Sequence, residues 1–498
     1  MPRIIGIDLG TSNSVVSLYE NGKTKVLSLQ GRTTTPSVLL FNGNEIEVGH
    51  NAKNRMAILP QKILKSTKRD LGQNVTYNIE GKQITPMMAA SLILKKLKKM
   101  AEEELNDTVN DVVITIPAYF GFKERNETEQ AAINAGLKPI ALLDEPTAAA
   151  ICYAENRSSE QTFVVVDLGG GTFDVTVLHC YKDENGRRVY DPEVTGGNHY
   201  LGGDDFDNCI VDWLIKEEGA KGFNNRLELN EFAERAKIQL AETDIAEIDC
   251  PFVKTTLSRQ QYKKMIQPYL DKICSTIKDT VSASGRSFDD IDRYILVGGS
   301  CKHPIVRKAI ADCVEKEPFM APNPDIIVAD GAAIYHHMFH VPDGDKPKPI
   351  VRCPKTLGTD MWEDSNTIVN AILVKEREIL PTSAANIGFV QDGQVRLISK
   401  VCQGDEHLFE KNEVIGEIDI NLKYSGLHPI VTVFKVNISG AISFETYEID
   451  ICQELISDLE QLEESKNESL VLDWNMWTNF YEKHKSHIKM TPKSLQIH

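Results

Sequence analysis

The chain lacks any apolar run near the roughly 20 residues that a membrane-spanning helix requires. Its N-terminus, Met1-Pro-Arg-Ile-Ile-Gly-Ile-Asp8, carries no basic n-region, no long apolar stretch and no small-residue cleavage site, so no targeting segment is expected there. Cys-x-x-Cys pairs are missing as well. The ten cysteines are scattered, which reads as reduced thiols of a cytoplasmic protein rather than a zinc site or a disulfide framework. Basic residues are in deficit: 55 Lys and Arg face 72 Asp and Glu, a formal charge of −17. Nucleic acids and anionic membranes are held by clustered Lys and Arg, so neither is expected as a partner.

What is present is an ordinary globular composition, 41% hydrophobic and 26% charged over 498 residues. Single cores stop growing at roughly 250–300 residues, so at least two domains are expected. Residues 1–340 alternate apolar, β-branched runs (Ile4–Asp8, Val112–Ile116, Thr162–Asp167, Val175–His179, Tyr294–Val297) with helical stretches (Pro86–Leu105, Lys123–Ala135, Ala148–Asn156, Glu231–Thr243, Arg259–Ser284, Pro304–Val314). That alternation predicts a parallel or mixed sheet covered on both faces. Residues 341–352, with the polar, proline-broken Asp343-Gly-Asp-Lys-Pro-Lys-Pro349, read as a linker. Residues 353–449 carry short alternating segments divided by Asp392-Gly393, Ser425-Gly426 and Ser439-Gly440, the texture of an all-β domain. In residues 450–498, Ile451, Leu455, Leu459 and Leu462 form one helical stripe, and Trp474, Trp477 and Tyr481 a second.

Chemistry concentrates at strand ends. Asp8-Leu-Gly-Thr11-Ser-Asn13 sets a carboxylate at the end of a strand, then a tight turn rich in N–H groups and hydroxyls. A phosphate tail and its metal need that arrangement: glycine lets the backbone approach, N–H groups bind oxygens, and the carboxylate faces the cation. Alone, such a Gly-Thr turn after a strand is more often just a turn. Asp167-Leu-Gly-Gly-Gly-Thr172-Phe-Asp174 repeats the pattern, and three consecutive glycines inside an apolar sheet point to a ligand against the backbone. The likeness of the two units suggests an internally duplicated lobe. Leu296-Val-Gly298-Gly-Ser300 is a third strand ending in glycines, open to a turn or to a base or ribose site. Glu234 and Lys237 lie three apart on one helix face, where a solvated ion pair is the blander reading.

Together these pieces resemble the actin-type ATPases, and more closely the DnaK-type heat-shock chaperone family (the heat shock protein 70 family). The matching stretches are Ile-Gly-Ile-Asp8-Leu-Gly-Thr-Ser-Asn-Ser14, Arg32-Thr-Thr-Thr-Pro-Ser37, Ile114-Thr-Ile-Pro-Ala-Tyr-Phe120, Asp144-Glu-Pro-Thr-Ala-Ala-Ala150, Val166 to Val175, Leu201-Gly-Gly-Asp-Asp-Phe-Asp207, Leu296 to Ser300 and Asn323-Pro-Asp325. The resemblance implies an α/β fold: an actin-like, duplicated ribonuclease-H-type ATPase domain, an all-β sandwich that binds peptides, and a short helical C-terminus acting as a truncated lid. It implies an ATPase that turns ATP and water into ADP and phosphate slowly, with Mg²⁺, and K⁺ as a further candidate. Asp8 and Asp167 would hold the metal shell. Gly10, Thr11, Ser12, Asn13, Gly169, Gly170, Gly171 and Thr172 would bind phosphates. Lys68 would touch the γ-phosphate and the attacking water, and Glu145 would act near that water; with Asp167 and Thr172 they form the expected catalytic set. Gly202, Gly203, Glu234, Lys237, Gly298, Gly299, Ser300, Lys302 and Asp325 would surround the nucleotide. Pro117 and Arg125 match the family's interdomain switch. Met361, Gly388, Val395 and Leu397 match its peptide cleft, Val395 being equally readable as a strand core residue. The implied partners are unfolded or extended polypeptide, a dedicated J-domain co-chaperone and an exchange factor, around a monomer.

The chain departs from the family in places that matter. The aligned linker, Pro347-Lys-Pro-Ile-Val-Arg352, is basic and proline-broken where the family's is apolar, and it is not expected to add the same edge strand. Ala141 replaces an arginine that J-domain proteins contact, and Phe122 replaces an aspartate. Lys302 replaces an arginine that stacks on adenine, so charge stays without the planar face. Ile238 and Ala241 replace polar nucleoside contacts, which predicts weaker nucleotide binding. The segment from Ala241 to Val253 is short where exchange factors dock. The alternative function is a specialised partner-binding regulator on the same fold with little ATP-driven cycling. A sugar kinase of the actin fold is disfavoured by the β-domain.

Overall fold

The computed structural model describes the chain apart from residues 1–2, 29–30, 57, 155–159, 185, 199, 217–225, 251–252, 339–347, 363–366, 391, 425, 438–439, 454, 466–470, 495 and 498. It divides into two compact units, Met1–Tyr119 with Glu127–Pro349, and Phe120–Asn126 with Ile350–His498. Among the described residues no helix is long and apolar enough to cross a membrane.

The first unit holds two six-stranded sheets built to one plan. In the first, Ile5–Asp8 is central: it pairs antiparallel with Asn13–Glu20, which continues to Lys23–Leu27, and in parallel with Asp111–Ile116, which continues to Lys138–Asp144. In the second, Gln161–Leu168 pairs antiparallel with Phe173–Lys182, which continues to Arg188–Asn198, and in parallel with Arg293–Val297, which continues to Phe319–Met320. The duplication suggested by the two Asp–Gly–Thr units is thus a duplication of topology. The central strands are apolar on both faces because helices cover both. Ala148, Ala149, Ile151, Val328, Ala332 and Ile334 pack with Val113, Leu143, Phe163 and Val165 in one buried cluster.

Helix Arg259–Ala283 shows how locally this sequence encodes its elements. Ser258 and Gln261 form a reciprocal capping box at its start, and Tyr262, Ile266, Leu270, Ile273, Ile277 and Val281 recur at helical spacing on its buried face. Two helices, Gly203–Lys216 and Ile327–Met338, were not expected from the pattern. The second is apolar nearly all round, so it gives no amphipathic signal.

The linker reading needs correction. Lys348–Pro349 does add an edge strand, pairing in parallel with Val189 and Tyr190. An edge strand needs a ladder on one side only, so a proline is tolerated there. Val351–Arg352 pairs with Ile379–Leu380, so the linker stretch runs into the sandwich; residues 341–347, including Pro347, lie outside the described residues.

The second unit is a sandwich of a five-stranded and a four-stranded sheet. Thr382–Val390, His428–Val436 and Ile442–Ile449 send alternate residues to opposite faces. Ala384, Ile430, Phe434 and Phe444 enter the core with Leu357, Val401 and Ile418 of the other sheet. Ala385, Ile387, Val431, Val433 and Tyr447 form a second buried layer with Leu459, Leu462, Trp477 and Phe480 of the C-terminal segment. The short helical C-terminus expected from the two stripes holds two helices packed on the sheet, and it also holds two strands that were not expected. Helices Ile456–Glu464 and Trp474–His484 cover a sheet face, Ile488–Ser494 pairs with Ile442–Ile449, and Gln496–Ile497 pairs with Gly416 and Glu417. Of the two stripes, Ile451 and Trp474 stay largely exposed, whereas Leu455 and Trp477 are buried. Phe122, in place of the family's aspartate, is fully buried in the sandwich core.

Trp477 stacks on Phe480 with ring centroids 6.3 Å apart and meets Tyr447 edge-on at 5.2 Å. Trp477→Ala should destabilise the second unit by about 3–5 kcal/mol in urea unfolding. A change below 1 kcal/mol, the scale of a surface substitution, would mean that the tail is no part of that unit's core.

Candidate functional site

The two sheets deliver their carboxylates in the same way. Asp8 ends one central strand and Asp167 lies one residue from the end of the other. Each strand is followed by a glycine-rich turn, and both turns line one cavity of about 630 Å³. Of the expected nucleotide residues, Asp8, Gly10, Thr11, Ser12, Asn13, Lys68, Glu145, Asp167, Gly169, Gly170, Thr172, Gly203, Glu234, Lys237, Gly298, Gly299, Ser300, Lys302 and Asp325 line it. Gly171 and Gly202 stand behind the loops: a Cβ on Gly171 would meet Thr11 Cγ2 at 2.4 Å, and one on Gly202 would meet Gly170 at 2.6 Å.

The loops are held by backbone. Gly203 N–H donates to Gly169 O at 3.0 Å, Asp204 N–H to Gly170 O at 2.6 Å, and Ser300 Oγ to Gly169 O at 2.7 Å. Glycine is required at Gly170, where a Cβ would lie 2.0 Å from Ser12 Oγ, and at Gly298, whose φ is 82°. Among the described residues, Ser12 Oγ is buried without a partner in this cradle. A hydroxyl left unpaired beside a ring of glycine amides suits a phosphate oxygen.

Lys68 lies in the 3₁₀ turn Thr67–Asp70, set by Ser66 in the left-handed region at φ 57°. Ser66 Oγ is fixed by donating to Asp204 Oδ2 at 3.0 Å. Glu145 opens the helix that directly follows strand Lys138–Asp144. The two meet as a buried ion pair, Nζ to Oε1 at 2.6 Å, with side chains only 7% and 8% exposed. Around them the carboxylates outnumber the cations. Burial, then Glu145, pushes the Asp8 carboxyl up to about 7, against the opposing pull of Lys68. The same causes raise Asp167 and Asp174 well above the usual carboxylate range. Both carboxylates are half-buried and line the cavity. Such a cluster accommodates a divalent cation, which would let these carboxylates ionise. Among the described residues no group of three His, Cys, Asp or Glu is placed to ligate a metal directly.

At the other end of the cavity, Glu234 and Lys237 do not pair with each other. Glu234 accepts from Lys53 Nζ at 2.9 Å, and Lys237 Nζ donates to Asp207 Oδ2 at 2.8 Å and Gly203 O at 3.0 Å. Lys302 forms an ion pair with Asp325. Ile238 and Ala241 line this end too, and Ile238 is largely exposed there. Sequence reasoning missed Lys53, Asp174, Tyr119 and Asp207. Asp174, Asp207 and Tyr119 sat inside quoted motifs without a role; Tyr119 is hydrogen-bonded to Thr172 and pushed up in pKa by burial. Lys53, 181 residues from Glu234, carried no local signal.

The remaining expected residues lie elsewhere. Pro117 is buried just past strand Asp111–Ile116. Arg125 falls in the second unit, buried, with Nε donating to Phe120 O at 3.0 Å. Ala141 is buried in its strand. In the sandwich, Met361 pairs with Val369 on one sheet and Gly388 with Ile430 on the other. Leu397 is half-buried against the core. Val395 is 76% exposed, which removes the core reading for that residue.

Because Asp8 titrates in the native chain above the ordinary carboxylate value of 3.8, the native state keeps a proton that the unfolded chain releases between 3.8 and about 7. Ligand-free stability from this group is present below 3.8 and is lost as pH rises through about 7. Asp8→Asn should therefore raise the Tm of the ligand-free chain by several degrees at pH 8 and by much less at pH 5, read by differential scanning calorimetry. An equal shift at both pH values would show that Asp8 does not carry this proton.

Comparison with known proteins agrees with this geometry. The sequence model of the Hsp70 protein family matches residues 4–493. The chaperone protein DnaK of Akkermansia muciniphila is 34% identical over 481 residues, spanning 86% of this chain and 72% of that protein. The chaperone protein DnaK of Mycoplasmopsis agalactiae is 34% identical over 496 residues, spanning 94% of this chain and 81% of that protein. The chain therefore belongs to the Hsp70 family of ATP-dependent molecular chaperones.

Proposed function

We propose that the cavity of the first unit hydrolyses ATP with Lys68 and Glu145 at its centre, and that the sandwich of the second unit holds extended polypeptide clients. The observation that carries the catalytic half is the buried 2.6 Å Lys68–Glu145 pair beside two glycine cradles. In-line hydrolysis needs a positioned water and stabilised phosphate charge. Lys68 Nζ would face the γ-phosphate while Glu145 holds it and accepts from the attacking water. The amides of Gly10–Asn13 and Gly169–Thr172 would bind phosphate oxygens, and the Ser12 hydroxyl would find its partner there. Asp8 and Asp167 would hold Mg²⁺ through its water shell. When bound, Mg²⁺ neutralises phosphate charge. Glu234, Lys237, Gly298–Ser300, Lys302 and Asp325 would surround the nucleoside, with Ile238 offering an apolar face in place of a polar contact.

For the sandwich, support comes from apolar side chains left exposed: Trp362, Phe389, Val395 and Leu427 are 65%, 46%, 76% and 67% exposed. Each leaves apolar area that a bound peptide could cover. An extended peptide would add main-chain hydrogen bonds and set one apolar side chain against Val395. A J-domain partner and an exchange factor belong to this proposal, with contacts other than those at Ala141.

Lys68→Ala should lower the single-turnover hydrolysis rate at least about 100-fold, the scale of losing one transition-state charge contact. A wild-type rate in that variant would remove Lys68 from the chemistry. Val395→Asp should weaken binding of an unfolded apolar peptide about tenfold or more, close to 1.4 kcal/mol, in fluorescence anisotropy. Unchanged affinity would place the cleft elsewhere. Hydrolysis that no peptide alters would favour the partner-holding regulator over the cycling chaperone.

A further inference from the structure

The cysteines play no part in the nucleotide reading, yet two of them are brought together by packing. Helix Pro304–Val314 lies against helix Arg259–Ala283, and each contributes one half-buried cysteine to the seam. Cys274 Sγ reaches across to Ala309 O at 3.6 Å, and Cys313 Sγ reaches back to Cys274 O at 3.6 Å. Each thiol thus donates its proton to a carbonyl of the facing helix. By contrast Cys180, Cys250, Cys301, Cys353 and Cys402 are buried. We propose that Cys274 and Cys313 form a redox-responsive pair, which a low-molecular-weight disulfide such as oxidised glutathione closes into an intramolecular disulfide.

Each sulfur lies against the backbone of the facing helix, so either thiolate can open the exchange and the other thiol resolve it. Starting at Cys313, the thiolate attacks one sulfur of the small disulfide. That S–S bond breaks, and the departing thiolate takes its electron pair and a proton from solvent. Cys274 then gives its proton to solvent and attacks the Cys313 sulfur of the mixed disulfide, expelling the second small thiolate, which is protonated in turn. The small disulfide is reduced to two thiols, and the two protein thiols are oxidised to one disulfide. The cross-link joins positions 39 apart in the chain, and the loop it closes contains the cavity-lining turn Gly298–Lys302. Oxidation thereby restrains a loop of the nucleotide cavity from the opposite end of its helix.

The test uses the full chain, incubated with oxidised glutathione, alkylated, digested and mapped by mass spectrometry. The expected result is a peptide pair joined through Cys274 and Cys313, two fewer alkylated thiols than the ten of the reduced chain, and full recovery after dithiothreitol. Either single variant, Cys274→Ser or Cys313→Ser, should stop the reaction at a glutathione adduct on the cysteine that remains. The proposal is overturned if wild type gives only glutathione adducts, if either cysteine pairs with a different one, or if both stay alkylatable. Because the wild-type map decides the matter, it holds whether or not either variant folds. It is also independent of ATP hydrolysis, so failure here leaves the nucleotide reading untouched.

Discussion

One buried ion pair sets the terms for the first unit. Lys68 and Glu145 lie 2.6 Å apart among Asp8, Asp167 and Asp174, so one ammonium faces four carboxyl groups in a poorly solvated pocket. Breaking such a pair by removing one partner strands a buried charge, at a cost of about 3–5 kcal/mol. The pair is not stabilising enough to quiet the site, because three carboxyls remain raised around it. A pocket in that state is poised for a cation and for an anion that brings one. The backbone supplies the other half: glycine turns bring amides close on both sides, and Ser12 Oγ stays buried with no partner among the described residues. Charge imbalance and open amides together describe a metal–phosphate site better than either does alone.

The duplicated sheets explain why such a cluster can exist at all. Each central strand ends in an aspartate and a turn, and each turn is wedged by the other sheet's partners, as the Gly171–Thr11 and Gly170–Ser12 approaches show. The parallel neighbour strands bring further residues to the same side: Glu145 follows Lys138–Asp144, and Gly298 follows Arg293–Val297. Chemistry gathered at the ends of parallel strands is a consequence of strand direction, and the fold repeats it twice around one cavity. Ser66 shows the local cost. A non-glycine residue is held at φ 57° so that the following turn can present Lys68, and the Asp204 carboxylate that fixes it comes from the other lobe of the unit.

Legibility in the sequence followed interaction range. The Asp8 and Asp167 turns, the glycines after Val297 and the capped helix Arg259–Ala283 were readable because their signals fit within a dozen residues. Family resemblance supplied Lys68 and Glu145, which no local pattern marks. Lys53 was invisible: its partner Glu234 is 181 residues away, and a lone lysine on a short helix says nothing. The same held for Cys274 and Cys313, scattered in sequence and joined only by helix packing. The linker misled for a different reason. Prolines argue against a central strand, but Lys348–Pro349 is an edge, where one row of hydrogen bonds suffices. Helix Ile327–Met338 hid behind uniform apolarity, and the tail strand Ile488–Ser494 behind its short alternation.

The tail changes how the second unit must be understood. Alternation along His428–Val436 gives the four-stranded sheet two apolar faces, one with Ile430 and Phe434 and one with Val431 and Val433. A sandwich can cover only the first. The second face needs its own layer, and the segment from Leu455 to Phe480 supplies it, with Ile488–Ser494 then extending the same sheet at its edge. Residues committed to that core cannot also serve as a mobile cover. Val395 and Trp362 remain open to solvent with the tail in place, so access to that surface is set by the strands and loops that carry it. The physical role of the C-terminal segment is therefore to complete the fold of the second unit, as the layer its four-stranded sheet would otherwise lack.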